Sequence, residues 1–289
     1  MRIGLWLTPR HDALTEILPD IIQFLEKNHQ EIILNDVTWR NVFSGESIKF
    51  VTTADLPQQI DALFSIGGDG TFLSASRLMA RSGKPVLGIH LGGLGFLADV
   101  SFENYTERLA AFLRGEYSIE ERNVLAVRTI FPEKVLANFA FNDIVIDRGR
   151  VSTTIKIRTF VNGDFLNTYR ADGIIIASPT GSTAYSLSAG GPIISPELNV
   201  FVISPICPHS LSVRPVVISA DSVVSIDCSE LAPDVSLVMD GQERQVLERA
   251  ERVEIQKADF TLPVVRFPGD SFFHTLRTKL NWGRDIRGN

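Results

Sequence analysis

The sequence predicts an α/β domain followed by an all-β domain. Over the first third of the chain, strand and helix patterns alternate, and this alternation is typical of a parallel sheet covered by helices. Beyond about residue 113, strand patterns follow one another and are separated by tight-turn signals, which favours an antiparallel sandwich. We therefore expect an N-terminal Rossmann-like parallel α/β domain, a C-terminal β-sandwich domain and a C-terminal helix that packs back on the first domain.

The predicted α/β domain comprises residues 1–100 together with 268–289. Short apolar runs predict its strands at 3–7, 31–34, 62–66 and 86–89. Apolar residues at helical spacing predict helices at 12–28 and 71–81, and Gly83 and Pro85 close the second of these. The pattern at 271–280 is helical again and predicts the last helix.

The predicted β domain comprises residues 101–267. After a helical stretch at 102–113, alternating patterns predict strands at 124–130, 136–146, 152–161 and 164–169, and further short strands between 216 and 267. The dipeptides Asn162-Gly163 and Asp240-Gly241 predict tight turns, because Asn, Asp and Gly tolerate the left-handed backbone that such turns require.

Composition argues against several classes of protein. The net charge of −6 over 289 residues makes the chain a poor candidate for binding a nucleic-acid backbone. Cys207 and Cys228 form no metal-type pair and the five histidines form no close pair, so a zinc site is not expected. Neither a signal peptide nor an apolar stretch of 18 residues is recognisable, and we expect a cytoplasmic protein with reduced cysteines and no membrane span.

The sharpest motif is the glycine-rich sequence at residues 66–71, which follows an apolar strand and opens a helix. Glycines there let the backbone approach a phosphate, and free N–H groups at a helix start favour anions. The carboxylate of Asp69 is a poor phosphate ligand, so a general base or a metal contact are its natural functional roles. A helix-start Asp without any chemical role is an equally good interpretation from the residues alone. A Walker lysine is missing, so the motif is not a P-loop.

A second motif, residues 172–191, runs from a strand into a loop rich in hydroxyl groups and glycine. Thr180, Ser182 and Thr183 could donate to phosphate or ribose, and Tyr185 could stack on a base. The alternative is a capped short helix between strands, in which the hydroxyls make local bonds. Seven hydroxyl side chains between Ser178 and Ser188 exceed what capping needs, and we favour a binding loop.

Asn142 and Asp143 form a polar pair inside an apolar run. Such a pair marks either a bulge or strand edge, or two groups aimed at a ligand hydroxyl. The residues alone favour the bulge or edge.

Together these segments resemble the NAD kinase family. Residues 67–71 are similar to that family's GGDGT motif, which diacylglycerol and sphingosine kinases share. Asn142-Asp143 stands where the family has Asn-Glu or Asn-Asp, and Asp172-Gly173 with residues 179–186 matches its most specific signature. Residues 208–212 with Arg214-Pro215 also resemble the family, so the likeness spans nearly the whole chain in the expected order.

The resemblance implies an enzyme that transfers a phosphoryl group from ATP to the 2′-hydroxyl of the adenosine ribose of NAD, giving NADP. Asp69 would be the proton acceptor, and the β domain would bind NAD. A divalent cation, expected to be Mg²⁺, would accompany ATP, and the chain would form a homodimer or homotetramer. The alternatives are a lipid kinase of the diacylglycerol type and a non-catalytic dinucleotide sensor.

The resemblance also implies which residues form the site. Substrate-binding positions would be Asp69, Gly70, Asn142, Asp143, Thr153, Arg170, Asp172, Thr183, Ala184, Tyr185, Ser186, Leu187, Ser188 and Gln242. Phosphate-binding positions would be Gly67, Gly68, Gly70 and Thr71. Small departures, such as Asp143 for the frequent Glu and Gln242 for the frequent Asn, bear on fine substrate preference and not on the reaction.

Overall fold

The computed structural model describes residues 1–7, 12–35, 48–92, 95–98, 100–150 and 152–282. The chain divides into two compact units, Met1–Glu121 with Leu262–Asn289 and Arg122–Thr261. The boundaries thus fall at 121/122 and 261/262, whereas the sequence placed them at 100/101 and 267/268.

Packing in the first unit explains both differences. The helix Tyr105–Leu113, which the prediction assigned to the β domain, sets the ring of Phe112 edge-on against Phe64, with ring centroids 5.1 Å apart. At the other boundary, Val264 pairs in parallel with Val86 and so extends the first unit's sheet. Apolar burial therefore assigns these residues to the first unit.

The first unit contains a parallel sheet, as predicted. Its strands pair in the order β5–β4–β1–β2–β3. Their bounds are β1 (Arg2–Leu7), β2 (Glu31–Asn35), β3 (Ile48–Val51), β4 (Ala62–Gly67) and β5 (Val86–His90). Strand β3 was not predicted, because its four residues include a lysine and are too short for an alternating pattern to stand out.

Helices cover this sheet with apolar faces. They are α1 (Asp12–Lys27), α2 (Leu56–Gln59), α3 (Asp69–Met79) and α4 (Tyr105–Leu113). The C-terminal helix, Phe272–Leu280, begins after Ser271, whose side chain accepts from the N–H of His274 at 3.4 Å. It buries Leu276 and places the amine of Lys279 3.9 Å from the carboxylate of Asp69. The prediction that this helix packs back on the first domain is confirmed.

The second unit is a sandwich of two antiparallel sheets, as predicted. One sheet has the order β13–β12–β11–β8–β15–β16, and the other joins β10, β9, β14 and β17 in that order, with β6 pairing both β17 and β7. Side chains from both sheets, such as Ile174 and Ile157, meet in one buried cluster. The strands are β6 (Ser118–Ile130), β7 (Val135–Ala140), β8 (Asp143–Asp147), β9 (Ile155–Val161), β10 (Asp164–Ala171), β11 (Gly173–Ala177), β12 (Val200–Ile206), β13 (Val216–Ser219), β14 (Val224–Asp227), β15 (Ser236–Met239), β16 (Glu243–Val246) and β17 (Arg252–Arg266).

The two predicted turns are confirmed. Asn162 and Gly163 have φ values of 52° and 87°, and Asp240 and Gly241 have 53° and 65°. Positive φ at both positions characterises the type I′ turn, whose twist matches that of the flanking strands.

The prediction of one strand over residues 136–146 is wrong. The chain leaves β7 in one sheet at Ala140 and enters β8 in the other sheet at Asp143. The end of β7 at Ala140 and the first four residues of β8 are buried on either side of this crossing, so apolar residues continue through it and the pattern conceals the break.

Candidate functional site

The glycine-rich motif lies at the end of β4 and the start of α3. Gly67 packs against Thr71 so closely that a Cβ there would overlap the threonine side chain. Gly68 and Gly70, in contrast, are exposed and have open space where a Cβ would stand. The first amides of α3 are therefore approachable by an anion from the side of these two glycines.

The carboxylate of Asp69 is held by a loop that follows β5. It accepts the backbone N–H groups of Phe96 at 3.1 Å and Leu97 at 3.2 Å. The Cα of Gly95 is close enough that a Cβ would overlap the carboxylate. The carboxylate is 34% exposed. Because it bonds to this loop, a simple helix-start role does not account for its position.

Lys279 is a neighbour of Asp69 that sequence reasoning missed. Its amine lies 3.9 Å from the carboxylate and 5.2 Å from the centre of the Phe96 ring. The sequence separation of the two residues gives no signal for this contact, and the lysine is an ordinary basic residue in the last turn of a helix.

In the second unit a pocket of about 300 Å³ opens where three segments meet. Of the predicted substrate-binding residues it brings together Asn142, Asp143, Ala184 and Tyr185. Sequence reasoning missed the remaining lining residues, which are Val145, Asp147, Val238, Asp240 and Gly241.

The backbone of Phe141–Asp143 is held from both sides. The Asp240 carboxylate accepts the N–H groups of Phe141 at 3.0 Å, Asn142 at 2.7 Å and Asp143 at 3.4 Å. On the opposite side, the N–H of Ser178 donates to the carbonyl of Asn142 at 2.9 Å, and the Ser178 hydroxyl donates to the carbonyl of Phe141. Asp240 was noticed in the sequence only as a turn residue.

Close packing explains the glycine in the hydroxyl-rich motif. Gly181 lies directly on the carbonyl of Asn142, and a Cβ at this position would overlap that carbonyl. Residues Thr180–Thr183 form a 3₁₀ turn and Tyr185–Ser188 a short helix. The hydroxyl-rich segment thus packs directly on the backbone at Asn142, where the chain crosses between the two sheets.

The hydroxyls of this motif divide into two groups. Ser178, Ser182 and Ser186 are fully buried; Ser182 donates to the carbonyl of Pro179 at 2.7 Å, and Ser186 shares a bond of 2.9 Å with Ser204. Tyr185 and Ser188 are exposed and Thr183 is partly exposed. The structure thus contains the short helix of the alternative interpretation, and it leaves outward-facing groups for a ligand. The predicted Ser186 does not face the pocket, and Leu187 is partly buried.

Two ionisable side chains of the pocket have raised pKa values, and one buried oxygen lacks a hydrogen-bond partner. The pKa of Asp143 is raised to about 7, chiefly by burial and also by the negative charge of Asp240, while the hydrogen bond from the N–H of Tyr185 acts in the opposite direction. Burial and the neighbouring negative groups also raise the pKa of the Tyr185 phenol. The Asn142 side-chain oxygen is buried and has no hydrogen-bond partner in the part of the chain that the structure describes. A ligand donor would satisfy it.

Besides Thr183 and residues 186–188 of the hydroxyl-rich motif, four predicted residues of the second unit are not among those that line this pocket. Thr153 is exposed in a bend before β9, and Gln242 is exposed beside the pocket residue Gly241. The side chain of Asp172 pairs with Arg148 at 3.3 Å. Arg170 lines a second pocket, of about 370 Å³, with neighbours that include His209, Ser210 and Ser212.

Across residues 1–7, 12–35, 48–92, 95–98, 100–150 and 152–282, no group of three or more His, Cys, Asp or Glu could hold a metal ion. Within the same ranges no helix has both the length and the apolar character needed to cross a bilayer.

Comparison with known proteins gives consistent matches over both units. Residues 7–117 match the family model for the ATP-NAD kinase N-terminal domain, and residues 141–267 match that for the ATP-NAD kinase C-terminal domain. An NAD kinase of Flavobacterium psychrophilum is 36% identical over an alignment of 294 positions that covers 99% of this chain and 100% of the relative. One from Bacteroides fragilis is 46% identical over 229 residues, 78% of each chain.

Two solved structures also match this chain. Yeast NADH kinase, crystallised with NADH, superposes with a TM-score of 0.92 at 25% identity, covering 100% of this chain and 90% of the yeast chain. An NAD kinase from Archaeoglobus fulgidus in complex with ATP gives a TM-score of 0.76 at 25% identity, covering 96% and 99%.

We predict that Asp143→Asn is more stable than the wild type above pH 7 and that this advantage disappears near pH 4. The native state keeps a proton on Asp143 up to about pH 7, whereas the unfolded chain releases it near the ordinary value of 3.8. Wild-type stability therefore falls as pH rises between these values, by up to about 4 kcal/mol at 1.36 kcal/mol per pH unit, and Asn cannot ionise.

Calorimetric melting of both proteins between pH 4 and 8 measures this difference. Asp61→Asn is the matched control, because the hydrogen bond from Arg2 lowers the pKa of Asp61. Its difference from wild type should have the opposite sign, being a loss at neutral pH that shrinks as the pH falls. Identical pH dependence for Asp143→Asn and wild type would contradict the raised pKa.

Proposed function

The chain belongs to the NAD kinase family, and we propose that its second unit binds the adenosine end of NAD while Asp69 of its first unit accepts the proton in phosphoryl transfer. The reaction is the ATP-dependent phosphorylation of NAD at the 2′-hydroxyl of its adenosine ribose, which gives NADP. The observation that supports these roles best is the pocket in which Asn142, Asp143 and Tyr185 converge. Incubation of the purified chain with labelled ATP and either NAD or diacylglycerol tests the activity; label must enter NADP alone.

Each side chain of the pocket suits one part of an adenosine. The half-exposed ring of Tyr185 offers an apolar face on which a base can stack. The unpartnered oxygen of Asn142 can accept a hydrogen bond from the base or the ribose. The carboxyl group of Asp143, with a pKa of about 7, can accept or donate a hydrogen bond at neutral pH. One aromatic face with two adjacent polar groups is a common way to bind a nucleoside.

The glycine-rich motif supplies the groups for phosphate and proton. Amides at the start of α3, beside Gly68 and Gly70, would receive donor phosphate oxygens. Gly67 and Thr71 pack together and shape this turn. Two loop amides fix the orientation of Asp69, and a carboxylate with four lone-pair sites keeps acceptor capacity beyond these two bonds. Asp69 would therefore take the proton of the ribose hydroxyl as that oxygen attacks the γ-phosphorus of ATP, and the bond from this phosphorus to the bridging oxygen would break to release ADP.

We propose ATP as donor and a divalent cation, Mg²⁺, that enters with its phosphates. The described residues contain no metal cluster of the protein's own, and Mg²⁺ commonly binds substrate phosphates with one or two carboxylates. When bound, the cation offsets charge on the donor phosphates. Further substrate contacts would come from Thr153, Arg170, Asp172, Thr183, Leu187, Ser188 and Gln242, whereas the buried Ser186 would support the short helix through its bond to Ser204. A cytoplasmic location without nucleic-acid or membrane partners fits the acidic chain and its two unpaired cysteines.

We predict that Asp69→Asn nearly abolishes turnover while NAD affinity stays within a few-fold of wild type. Asn retains the size of Asp and one acceptor for the loop amides but cannot take up the hydroxyl proton. A positioned general base contributes about 10²–10⁴-fold, or roughly 3–5 kcal/mol of barrier. Turnover, calorimetric NAD binding and melting temperature are measured on the same preparation.

The control for Asp69→Asn is Asp61→Asn, which removes a carboxylate from the same unit and breaks its pair with Arg2. This control should leave turnover unchanged. A folded Asp69→Asn protein that binds NAD normally and turns over within about threefold of wild type would refute the general base, since such catalysis contributes far more.

We predict that Tyr185→Ala weakens NAD binding several-fold or more, whereas Tyr185→Phe has a mild effect. Base stacking on an aromatic ring contributes about 1–3 kcal/mol in nucleic-acid systems, and Phe retains the ring. Phe165→Ala removes another exposed aromatic ring of the same unit and serves as the control. Equal NAD affinity of Tyr185→Ala and wild type in calorimetry would exclude the stacking role.

We predict that the chain assembles into a homodimer or homotetramer and that assembly accompanies activity. Strands β13 and β16 are sheet edges and carry the exposed Val217 and Val246, and Leu211 is 92% exposed. Exposed edges and apolar side chains of this kind favour pairing with another surface. Sedimentation at the assay concentration measures the mass, and a fully active monomer would be evidence against this assembly.

A further inference from the structure

The crossing between the two sheets of the second unit creates a local shortage of hydrogen-bond acceptors. At Phe141–Asp143 the chain has left β7 and is only entering β8, so successive amides lie where neither sheet offers a strand partner for all of them. Buried backbone N–H groups without acceptors are strongly unfavourable. The carboxylate of Asp240 accepts three of these amides.

The backbone at Asp240 restricts which residue can do this. Its φ of 53° lies in the left-handed region, where Gly, Asn and Asp are tolerated best. Of these three, only Asp carries a negative charge and two acceptor oxygens. The N–H of Asp240 in turn donates to the carbonyl of Asp143 at 3.0 Å, so the hairpin and the crossing segment bond in both directions. Asp240 is 9% exposed.

The side chain of Asn142 depends on this arrangement for its position. Its oxygen has no hydrogen-bond partner among the residues that the structure describes, so no hydrogen bond to that oxygen holds the side chain. Its backbone, by contrast, is bonded through its N–H to Asp240 and through its carbonyl to Ser178. These two backbone bonds thus fix the point from which the Asn142 side chain enters the pocket wall.

We propose that Asp240 is a positioning residue for NAD recognition, whose carboxylate holds Asn142 and Asp143 in the geometry that binds adenosine. The proposal rests on the adenosine site assigned above. Asp240 acts through these two residues, and its negative charge also raises the pKa of Asp143. Three ionisable groups line the pocket around Asp143, namely Asp240 of the turn, Tyr185 of the short helix and Asp147 of its own strand.

The test compares steady-state kinetics of wild type and Asp240→Asn with NAD and ATP varied separately. Asn fits the left-handed backbone and keeps one acceptor oxygen, but it loses the charge. Loss of charge-assisted hydrogen bonds should raise the KM for NAD about ten- to hundredfold. The turnover number and the KM for ATP should stay within about threefold, since the same bonds serve both ground state and transition state.

A pH profile separates positioning from a general loss of stability. In wild type the KM for NAD should fall as pH rises through about 7, where Asp143 ionises and becomes a stronger acceptor. Removing the neighbouring charge of Asp240 should move this change to lower pH. Ile226→Val and Ile226→Ala remove buried methyl groups from the sandwich core, away from the pocket. The one whose melting temperature matches that of Asp240→Asn serves as the control. Both Ile226 variants should leave the KM and its pH profile unchanged.

Two outcomes contradict the proposal in different ways. If Asn142→Ala leaves the KM for NAD unchanged, the adenosine site is assigned wrongly, and the role of Asp240 fails with it. If Asn142→Ala raises the KM but Asp240→Asn does not, or if the matched Ile226 variant raises it equally, the adenosine site stands and Asp240 is only structural.

Discussion

The carboxylate of Asp240, bonded to the amides of the segment that crosses between the sheets, is the interaction on which the second unit's pocket depends. A β-sandwich in which one strand segment passes from sheet to sheet leaves backbone N–H groups unpaired at the crossing, and each costs about 1–3 kcal/mol if buried without an acceptor. Here one side chain accepts three of them. The same crossing brings Asn142 and Asp143 to the pocket wall, so the solution to a folding constraint also shapes the site.

Both carboxylates to which we assign central roles are held by backbone amides, but they differ in what remains available. Asp240 is buried and its carboxylate accepts three backbone amides, whereas Asp69 bonds two loop amides and remains one-third exposed. The buried Asp240 can therefore hold the backbone, and the more exposed Asp69 can accept a proton. Asp143 differs from both because its pKa is raised. Buried beside Asp240, it holds its proton up to about pH 7, as expected when two acidic groups share a poorly solvated site.

Periodicity in the sequence predicted most of the fold, because buried strands and amphipathic helices repeat at characteristic spacings. It missed the end of a strand where apolar residues continue past that end, as at Phe141. It also assigned the helix at Tyr105–Leu113 to the wrong domain, because burial and not periodicity determines which unit a helix belongs to. In the site, motif residues such as Asp69 and Tyr185 were recognisable from their neighbours. Lys279 and the positioning role of Asp240 were not, since each depends on a contact between residues distant in sequence.

Amide hydrogen exchange at Phe141 and Asn142, measured without NAD, tests the central claim most directly. If the Asp240 carboxylate holds this segment before any ligand arrives, both amides should exchange about a hundredfold or more slowly than in an unfolded peptide, as expected for bonds to a charged acceptor. Exchange at the unfolded rate, with protection only after NAD is added, would show that the ligand orders the segment and would contradict the account.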